Sequence, residues 1–361
     1  MQQLMNLAEV DEEVRKKMEE QKIDAKKLLS KLATKSRKDA KSERCLYCNQ
    51  KCTKFCNSHS VPASFLRNIA VDGKVYTTNQ IIDLPLFDQE KGVNNSGTFH
   101  IICSDCDSKI FSDYENMSDY RADITSKMVA QIAMKNHLKN ISKRRYEIAL
   151  YENGVAELKE RHGEMFSVDD YFDQSIQVSK LDLNEYIRGF RRAKKVIEKK
   201  WEHEYTLVYC KRLNYSVPIA FQSEVALHYD FKGHIINNVA VKDPKYKIKT
   251  IHIAAFPLKV GSVVMLFADS KDKRYRPFFK QFLSLEEDQK LAVINYLIFS
   301  LSEDVYLSKD ANEIISNDEQ LKKVTGQTPI QFSTTPEMNR ELIKETFNFS
   351  EMNKIPNLLL M

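Results

Sequence analysis

The sequence predicts an α+β protein, and three observations support that class. Apolar residues recur at helical spacing in the first half of the chain, and short β-branched and aromatic runs follow them. Glycine is sparse, with 9 of 361 residues, which favours helix over a turn-rich all-β chain. Hydrophobic residues make up 42% and charged residues 29%, as expected for a chain with a packed core. The length fits roughly two or three domains.

Residues 1–44 are predicted to form a charged helical arm. A solvated helix face or a frayed tail is the usual reason for such a charge run, and an arm that contacts phosphates is the alternative. From Lys26 to Arg44, two acidic residues, Asp39 and Glu43, accompany eight basic residues: Lys26, Lys27, Lys31, Lys35, Arg37, Lys38, Lys41 and Arg44.

Residues 45–116 are predicted to be a zinc-stapled module, and residues 117–361 an α+β region of unknown role. Within that region, 117–202 is predicted helical, 203–270 β-rich and 271–361 helical. The helical part contains two helices, over about 119–143 and 182–202, with a break at His162-Gly163. Their apolar positions are Ile124, Met128, Ile132 and Leu138, and then Ile187, Phe190, Ile197 and Trp201.

The β-rich part predicts an antiparallel sheet of four or five strands. Proline and glycine separate its apolar runs: Thr206–Cys210, Val217–Phe221, Val225–Tyr229, Ile248–Phe256 and Val260–Phe267. Ser284–Glu287 has the capping-box pattern and predicts the start of a helix through Leu291 and Leu301.

Two basic stretches permit nucleic-acid binding. The predicted helix over 182–202 carries many cations, which could meet a phosphate backbone or cover a core-facing helix with their long stems. Lys271–Lys280 interleaves cations with aromatic residues, as in single-strand binding surfaces, although a surface loop with an apolar anchor has the same composition. The net charge of +5 permits such binding without indicating it.

Several function classes find no support in the sequence. No stretch approaches the roughly 20 apolar residues that span a bilayer, and the N-terminus lacks a basic start with an apolar signal core. We therefore expect a cytoplasmic protein with no membrane partner. The sequence contains no P-loop, no dinucleotide-binding glycine pattern and no nucleophile elbow.

Six of the seven cysteines lie between positions 45 and 106. In a reducing compartment, paired Cys-x-x-Cys turns are typical of metal ligands rather than of disulfides. Zinc takes four such ligands in a tetrahedron, so the two turns predict a closed structural zinc site at Cys45, Cys48, Cys103 and Cys106. Cys52 and Cys56 could replace one ligand, bind a second ion or be small buried residues. Cys210 is expected to be a buried core thiol.

A histidine lies between the two cysteine turns, in the run His59-Ser60-Val61-Pro62. Cys106 is expected to open a helix, which puts Asp107 in its first turn. This order of Cys-x-x-Cys, His-x-x-Pro and Cys-x-x-Cys followed by a polar residue resembles the zinc-containing HNH (ββα-metal, treble-clef) endonucleases. The resemblance covers about residues 45–116.

The resemblance implies a function and a site. The four cysteines would hold structural zinc, His59 would be the general base, and Asp107 would bind a catalytic Mg²⁺ or Mn²⁺. The implied activity is metal-dependent hydrolysis of nucleic-acid phosphodiesters, with DNA as substrate more than RNA. Some chains of this kind are thought to act in bacterial phage defence. A partner protein or a homo-oligomer is compatible with the sequence.

The sequence departs from the family pattern in ways that keep a second function open. The family places a metal ligand just before its histidine, where this chain has Ser58, and Asp107 would restore that negative charge. The asparagine that orients the histidine could be Asn79, Asn94 or Asn95, and His100 is a further histidine in a strand-like run. The alternative is a non-catalytic treble-clef module in a nucleic-acid- or protein-binding scaffold, with a structural His59.

Overall fold

The protein is described from a computed structural model. The structure describes residues 12–77, 90–162, 169–199, 202–238, 245–302, 304–325 and 347–361. Asn79, Gly163 and Trp201, which entered the predictions above, lie outside the described residues.

The described chain contains both helices and strands, which confirms the α+β class. The helices are α1 (Glu12–Asp39), α2 (Ala63–Leu66), α3 (Ser104–Ile110), α4 (Ser112–Glu115), α5 (Ser126–His162), α6 (Asp169–Lys199), α7 (Arg276–Leu283), α8 (Glu287–Leu301), α9 (Lys309–Asn317) and α10 (Glu319–Thr325). The strands are β1 (Ser58–His59), β2 (Lys74–Thr77), β3 (Glu90–Gly92), β4 (Thr98–Phe99), β5 (Tyr205–Leu213), β6 (Ile219–Val225), β7 (Ile251–Pro257), β8 (Ser262–Asp269) and β9 (Val305–Leu307).

The chain divides into two compact units. The first contains the described residues of 1–41 and of 142–183, so it includes α1. Within it, the buried Ser36 hydroxyl donates to the carbonyl of Ala149 at 3.3 Å, and the Asn153 amide donates to both Ser36 and Asp39. These buried hydrogen bonds tie the end of α1 to α5. The second unit contains residues 42–141 and 184–361.

The second unit is built on an antiparallel sheet in the order β3-β2-β9-β6-β7-β8-β5. Successive strand residues point to opposite faces, and both faces are covered here. On one face the residues of β6, β7 and β8 pack against α7 and α8; Phe221, Ile253 and Leu266 belong to that core. The other face carries Gln222 and His252, which hydrogen-bond to α5. Because both faces are buried, these strands read as nearly continuous apolar runs.

The β-rich region contains β5 to β8, in agreement with the predicted antiparallel sheet of four or five strands. The run Val225–Tyr229 was predicted as a separate strand, but its first residue is the last residue of β6, and the rest of the run makes only the single bridge Tyr229–Ile235. Three further strands, β2, β3 and β9, come from outside residues 203–270. Their pairings join segments far apart in the chain, so local patterns do not reveal them.

The helix predicted over 119–143 is α5, which begins later and continues to His162, where a break was predicted. The helix predicted over 182–202 is α6, which begins thirteen residues earlier. The predicted capping box is shifted. Glu286 is the N-cap of α8 and exchanges hydrogen bonds with Gln289. Ser284 instead donates to the carbonyl of Gln281 at the end of α7.

The two basic stretches are largely engaged within the protein. Tyr275 and Phe278 are fully buried and cannot stack on bases. Phe279, the third aromatic residue of Lys271–Lys280, is half-buried and its ring stacks on Tyr275. In α6, the Lys194 ammonium donates to the carbonyl of Tyr47 at 2.6 Å and lies 4.2 Å from its ring centroid. These contacts favour the structural alternative for both stretches.

The predicted module, residues 45–116, is part of the larger second unit, because β2 and β3 belong to the main sheet. Its boundaries therefore stay a prediction from the sequence. Among the described helices, none has the length and apolarity needed to cross a membrane.

Candidate active site and four-cysteine cluster

Four cysteines from two separate turns converge in the second unit. The sulfur atoms of Cys45, Cys48, Cys103 and Cys106 all lie within 4.8 Å of one another. Cys103 is the N-cap of α3, and its backbone N–H donates to the Cys45 sulfur at 3.3 Å. Burial would raise the pKa of Cys45, but backbone N–H donors lower it to about 7, which favours a thiolate. Four such sulfurs could hold a metal ion such as zinc.

The other three cysteines lie outside this cluster. The thiol of Cys52 donates to the Lys54 carbonyl at 3.0 Å, and the thiol of Cys56 donates to Asp107 Oδ2 at 3.4 Å. Burial, followed by the neighbouring Asp107 carboxylate, raises the pKa of Cys56 to about 11, so it is a neutral thiol. Cys210 lies half-buried on β5.

A small two-stranded sheet and a helix bring the predicted catalytic residues together. Strand β1 pairs antiparallel with β4, with Ser58 opposite Phe99 and His59 opposite Thr98. Helix α3 follows directly, and its first turn contains Asp107. His59 and Asp107, 48 positions apart in the sequence, line the same cavity of about 270 Å³. The structure thus places both predicted residues at one site.

The small sheet of β1 and β4 is fixed to the main sheet at one close contact. The Ser60 hydroxyl and the Tyr306 hydroxyl of β9 are 2.9 Å apart and buried. Gly97 lies against both, with φ at +63°, and a Cβ there would be 1.8 Å from the Tyr306 oxygen. Only glycine therefore fits this position. The contact holds the chain in place just after His59, the last residue of β1.

His59 is held in a single tautomer. Its Nε2 lies 3.0 Å from the backbone carbonyl of Val93, and a carbonyl can only accept, so Nε2 carries the proton. In the neutral ring, Nδ1 is then free to accept a proton. Partial burial lowers the pKa of His59, and Lys135 and Arg67 lower it further, against the opposing effects of Val93 and Asp107. The neutral form is therefore favoured near neutral pH.

Among the described residues, the group that orients His59 is the backbone carbonyl of Val93. Val93 opens the 3₁₀ turn Val93–Asn95, and both Asn94 and Asn95 are exposed. The Asn94 carbonyl accepts from Asn57 at 2.7 Å, which fastens this turn to the segment before β1. His100 is exposed just after β4 and does not line the cavity.

Asp107 accepts hydrogen bonds on both carboxylate oxygens. Its Oδ1 accepts from Ser58 at 2.6 Å and from Lys135 at 3.1 Å, and its Oδ2 accepts from Cys56. Burial would raise the pKa of Asp107, but the charge of Lys135 and these donors lower it overall. Ser58 is therefore a hydrogen-bond partner of Asp107, and it also accepts from Lys135 at 3.0 Å.

Lys135 is the residue of this site that the sequence reasoning missed. Its side chain is only 1% exposed, and its ammonium makes ion pairs with Asp107 and Glu115 and a hydrogen bond to Ser58. An ammonium has three N–H donors, so these three acceptors use all of them. The ammonium also lies 3.7 Å from the centroid of the Phe111 ring. A sequence signal existed, because Lys135 follows Met128 and Ile132 on the apolar face of the predicted helix.

The remaining wall of the cavity carries charge of both signs. Arg67, exposed at the end of α2, and Glu115, at the end of α4, line the cavity with Lys135. Burial raises the pKa of Glu115, against the lowering effect of Lys135, whereas Asp107, with two extra donors, has a lowered pKa. The additional hydrogen bonds explain why the same ammonium leaves these two carboxyl groups with opposite shifts.

Comparisons with known proteins add no relationship to this description. The chain matches no protein-family model, no curated protein and no solved structure. The class of the protein therefore rests on the fold and the site: an α+β protein with a four-cysteine cluster beside a histidine-containing cavity.

Proposed function

We propose that the cavity at His59 hydrolyses nucleic-acid phosphodiesters, with His59 as general base. The observation that carries this proposal is the hydrogen bond from His59 Nε2 to the Val93 carbonyl. It fixes the tautomer whose Nδ1 accepts a proton, on a histidine that lines an open polar cavity. The antiparallel pairing of β1 with β4, and the helix that begins at the second cysteine turn, support the HNH-like interpretation.

The reaction would need only a water molecule besides the substrate. His59 Nδ1 takes one proton from water, and the resulting hydroxide forms a new bond to phosphorus as the bond to the 3′ oxygen breaks. The leaving oxygen takes a proton from solvent, and His59 later returns its proton to solvent. Arg67, exposed on the cavity wall, is suited to contact the phosphate oxygens.

Lys135 would act on this reaction as a positioning residue. All three of its N–H groups are engaged, so it offers none to a phosphate. Its charge offsets Asp107 and Glu115, which would otherwise repel an anionic substrate from the same cavity. It also holds Ser58, the residue before His59, and so fixes the end of β1.

The predicted catalytic Mg²⁺ or Mn²⁺ on Asp107 does not fit the donor set in this arrangement. The obstacle is a charge that is already present: the Lys135 ammonium lies 3.1 Å from Asp107 Oδ1 and 3.0 Å from Glu115 Oε1, where a divalent cation on Asp107 would meet it. The catalytic ion therefore stays a prediction, which the metal dependence of cleavage tests.

The four-cysteine cluster would hold structural zinc. With four protein sulfurs the site is closed. It would therefore stabilise the sheet of β1 and β4 together with α3, and it would supply no chemistry of its own. Cys103 and Cys106 frame the start of α3, which carries Asp107. Removing zinc should therefore unfold this part of the second unit, because metal binding and folding are coupled in such sites.

The experiment compares the full-length wild type with His59→Ala and with the matched control His100→Ala. DNA and RNA substrates are each tested with chelator, Mg²⁺ or Mn²⁺, and zinc content is measured throughout. We expect His59→Ala to lower cleavage by roughly 100- to 10,000-fold at unchanged zinc content, and His100→Ala to cleave normally. DNA is expected to be the better substrate.

The alternative function is a non-catalytic module in a nucleic-acid- or protein-binding scaffold. The ion pairs of Lys135 with Asp107 and Glu115 favour it, because they form a satisfied structural network. Equal cleavage by wild type and His59→Ala would refute the catalytic proposal. Binding that weakens steeply with salt, without turnover, would support the alternative.

A further inference from the structure

A second cluster of ligand-type side chains lies within the same unit, on the opposite side of α5 from Lys135. His137, Glu224 and His252 each offer a ligand atom within 4.8 Å of the others. His137 Nδ1 and Glu224 Oε1 are 2.9 Å apart, and the two imidazole rings have centroids 5.4 Å apart. All three side chains are buried: His137 and His252 are 7% and 3% exposed, and the Glu224 side chain is 2% exposed.

Sheet register places the carboxylate and one imidazole side by side. Glu224 of β6 is directly opposite His252 of β7, and both residues lie on the face that meets α5. Directly opposite residues on one face have Cβ atoms about 5 Å apart. His137 of α5 then closes the cluster from above the sheet. Three elements distant in the sequence thus converge on one point.

The surrounding side chains fix the orientation of these three groups. The Asn136 side chain reaches His252 Nδ1 at 3.1 Å, which leaves Nε2 as the nitrogen that would bind an ion. With an ion at Nε2, the His252 proton would be on Nδ1 and the Asn136 amide would turn its oxygen to accept it. Asn140 donates to Glu224 Oε1 at 2.8 Å, and Thr250 donates to Oε2 at 3.0 Å. Outer partners of this kind commonly hold metal ligands in place.

Helix α6 has a glycine where it packs against the His137 imidazole. Gly189 of α6 lies against the imidazole, and a Cβ at that position would be 2.5 Å from His137 Nε2 and Cε1. Glycine in a helix interior costs about 1 kcal/mol relative to alanine, so its presence here needs a local reason. The close approach of the imidazole supplies one.

A buried hydroxyl beside the cluster has no partner among the described residues. The Tyr205 hydroxyl of β5 is buried and makes no hydrogen bond, although its ring contacts His252 at a centroid distance of 6.0 Å. Buried hydroxyls normally find a partner, and this one belongs to a ring that packs against His252, so it is available to an additional species bound at the cluster.

We infer that His137, Glu224 and His252 form a second metal site, which takes a divalent transition-metal ion of the zinc type. Two imidazoles and one carboxylate are a donor set that zinc uses in proteins, and imidazole disfavours Mg²⁺ and Ca²⁺ relative to Zn²⁺. The site differs from the four-cysteine cluster in its ligands, and it does not depend on the proposed nuclease function.

The test measures metal content of the full-length protein after purification with zinc. We expect two equivalents per chain in the wild type and one in His252→Gln. The matched control, His234→Gln, changes an exposed histidine whose side chain is 72% accessible and should retain two. A single equivalent in the wild type, unchanged by His252→Gln, would overturn the inference and leave a buried His137–Glu224 ion pair.

Two further measurements keep the inference testable if His252→Gln does not fold. Cobalt bound at the four cysteines gives thiolate-to-metal charge-transfer absorption, and cobalt at the second site does not. We expect wild-type protein to bind a second cobalt equivalent after the charge-transfer band has reached its limit. Thr250→Val keeps all three ligands and should weaken that second equivalent by roughly 10- to 100-fold. Saturation at one equivalent in both proteins would refute the site.

Discussion

Lys135 and His137 are two residues apart on α5 and belong to two different polar clusters. With 3.6 residues per turn, positions two apart point to roughly opposite sides of a helix. The Lys135 ammonium pairs with Asp107 and Glu115 near the sheet of β1 and β4. His137 Nδ1 contacts the Glu224 carboxylate on the main sheet. One buried helix therefore supports two charged sites.

The two clusters differ in what they leave available. The Lys135 cluster borders a cavity of about 270 Å³, and one of its neighbours, His59, keeps a nitrogen free to accept a proton. The His137 cluster is closed on all sides, and its three ligand-type groups face each other. Openness and an unused basic nitrogen are requirements for catalysis, whereas enclosure and convergent ligands suit a bound ion.

Charge compensation distinguishes the clusters as well. Lys135 offsets two carboxylates with an ammonium that belongs to the chain. Among the described residues, Glu224 is the only carboxylate of its cluster, and its two oxygens accept from Asn140 and Thr250. The Lys135 cluster thus contains its own cation, whereas the His137 cluster is lined by groups that bind metals.

The largest expected effect follows from removing the lysine. Lys135→Met would leave Asp107 and Glu115, whose side chains are 16% and 33% exposed, without their cation. We expect it to lower the free energy of unfolding by about 3 kcal/mol, the low end of the range for a buried pair, because both carboxylates are partly solvated. Denaturant unfolding measures the change, with Lys109→Met on the exposed side of α3 as control. Mg²⁺ should then raise the Tm of Lys135→Met and leave the wild type unchanged. An equal response of both proteins would contradict the role of Lys135 as the built-in cation.

A smaller effect is expected at the glycine that faces His137. Gly189→Ala should lower the free energy of unfolding by about 1–3 kcal/mol, because the new methyl group collides with the imidazole. The control is Gly154→Ala in α5, where the nearest atom would be at an ordinary 4.0 Å. That change should stabilise the helix by about 0.5–1 kcal/mol. Opposite signs for the two substitutions are the expected result, and equal signs would refute the steric contact.

The pH dependence of cleavage tests the assignment of His59 as the general base. The active form is neutral, so the rate should fall as pH drops through the pKa of His59, about tenfold for each further unit. Burial, with Lys135 and Arg67, lowers that pKa below its ordinary value of 6.5, whereas Asp107 opposes the shift. The acid limb should therefore lie below pH 6.5, and Arg67→Gln should move it upward. A limb above pH 6.5 would contradict the assignment.

The smallest expected effect concerns the unpaired hydroxyl near His252. Tyr205→Phe removes a buried group that makes no hydrogen bond among the described residues, so protein that carries one zinc equivalent, at the four cysteines, should change by less than about 1 kcal/mol. If the hydroxyl assists a second bound ion, the same substitution lowers the affinity for the second equivalent. Thermal unfolding with one and with two zinc equivalents separates these results. A large loss of stability at one equivalent would show that the hydroxyl has a structural partner.

Much of the first site follows from local sequence patterns. The two Cys-x-x-Cys turns predicted the four sulfur atoms that the fold brings together, and His59 and Asp107 do line one cavity. The orienting carbonyl of Val93 was not predictable, because any residue supplies the same backbone group. Lys135 was missed because cations on a helix usually lie on its solvated face, although this one follows the apolar positions.

The second site shows where sequence reasoning has no access. His137, Glu224 and His252 stand in ordinary helical and strand runs, and no spacing relates them. Their meeting depends on the register of β6 against β7 and on the rotation of α5 above that sheet. Both are set by long-range packing, which a local pattern does not encode.

The sequence by itself determined the α+β class, the cysteine frame and the histidine within it, because each follows from short-range spacing and residue chemistry. The tertiary structure alone decided that β2, β3 and β9 join one sheet, and that α5 carries a lysine to one cluster and a histidine to another. The physical reason is that a charged side chain can be buried only where other groups pair with it. Those partners come from distant parts of the chain.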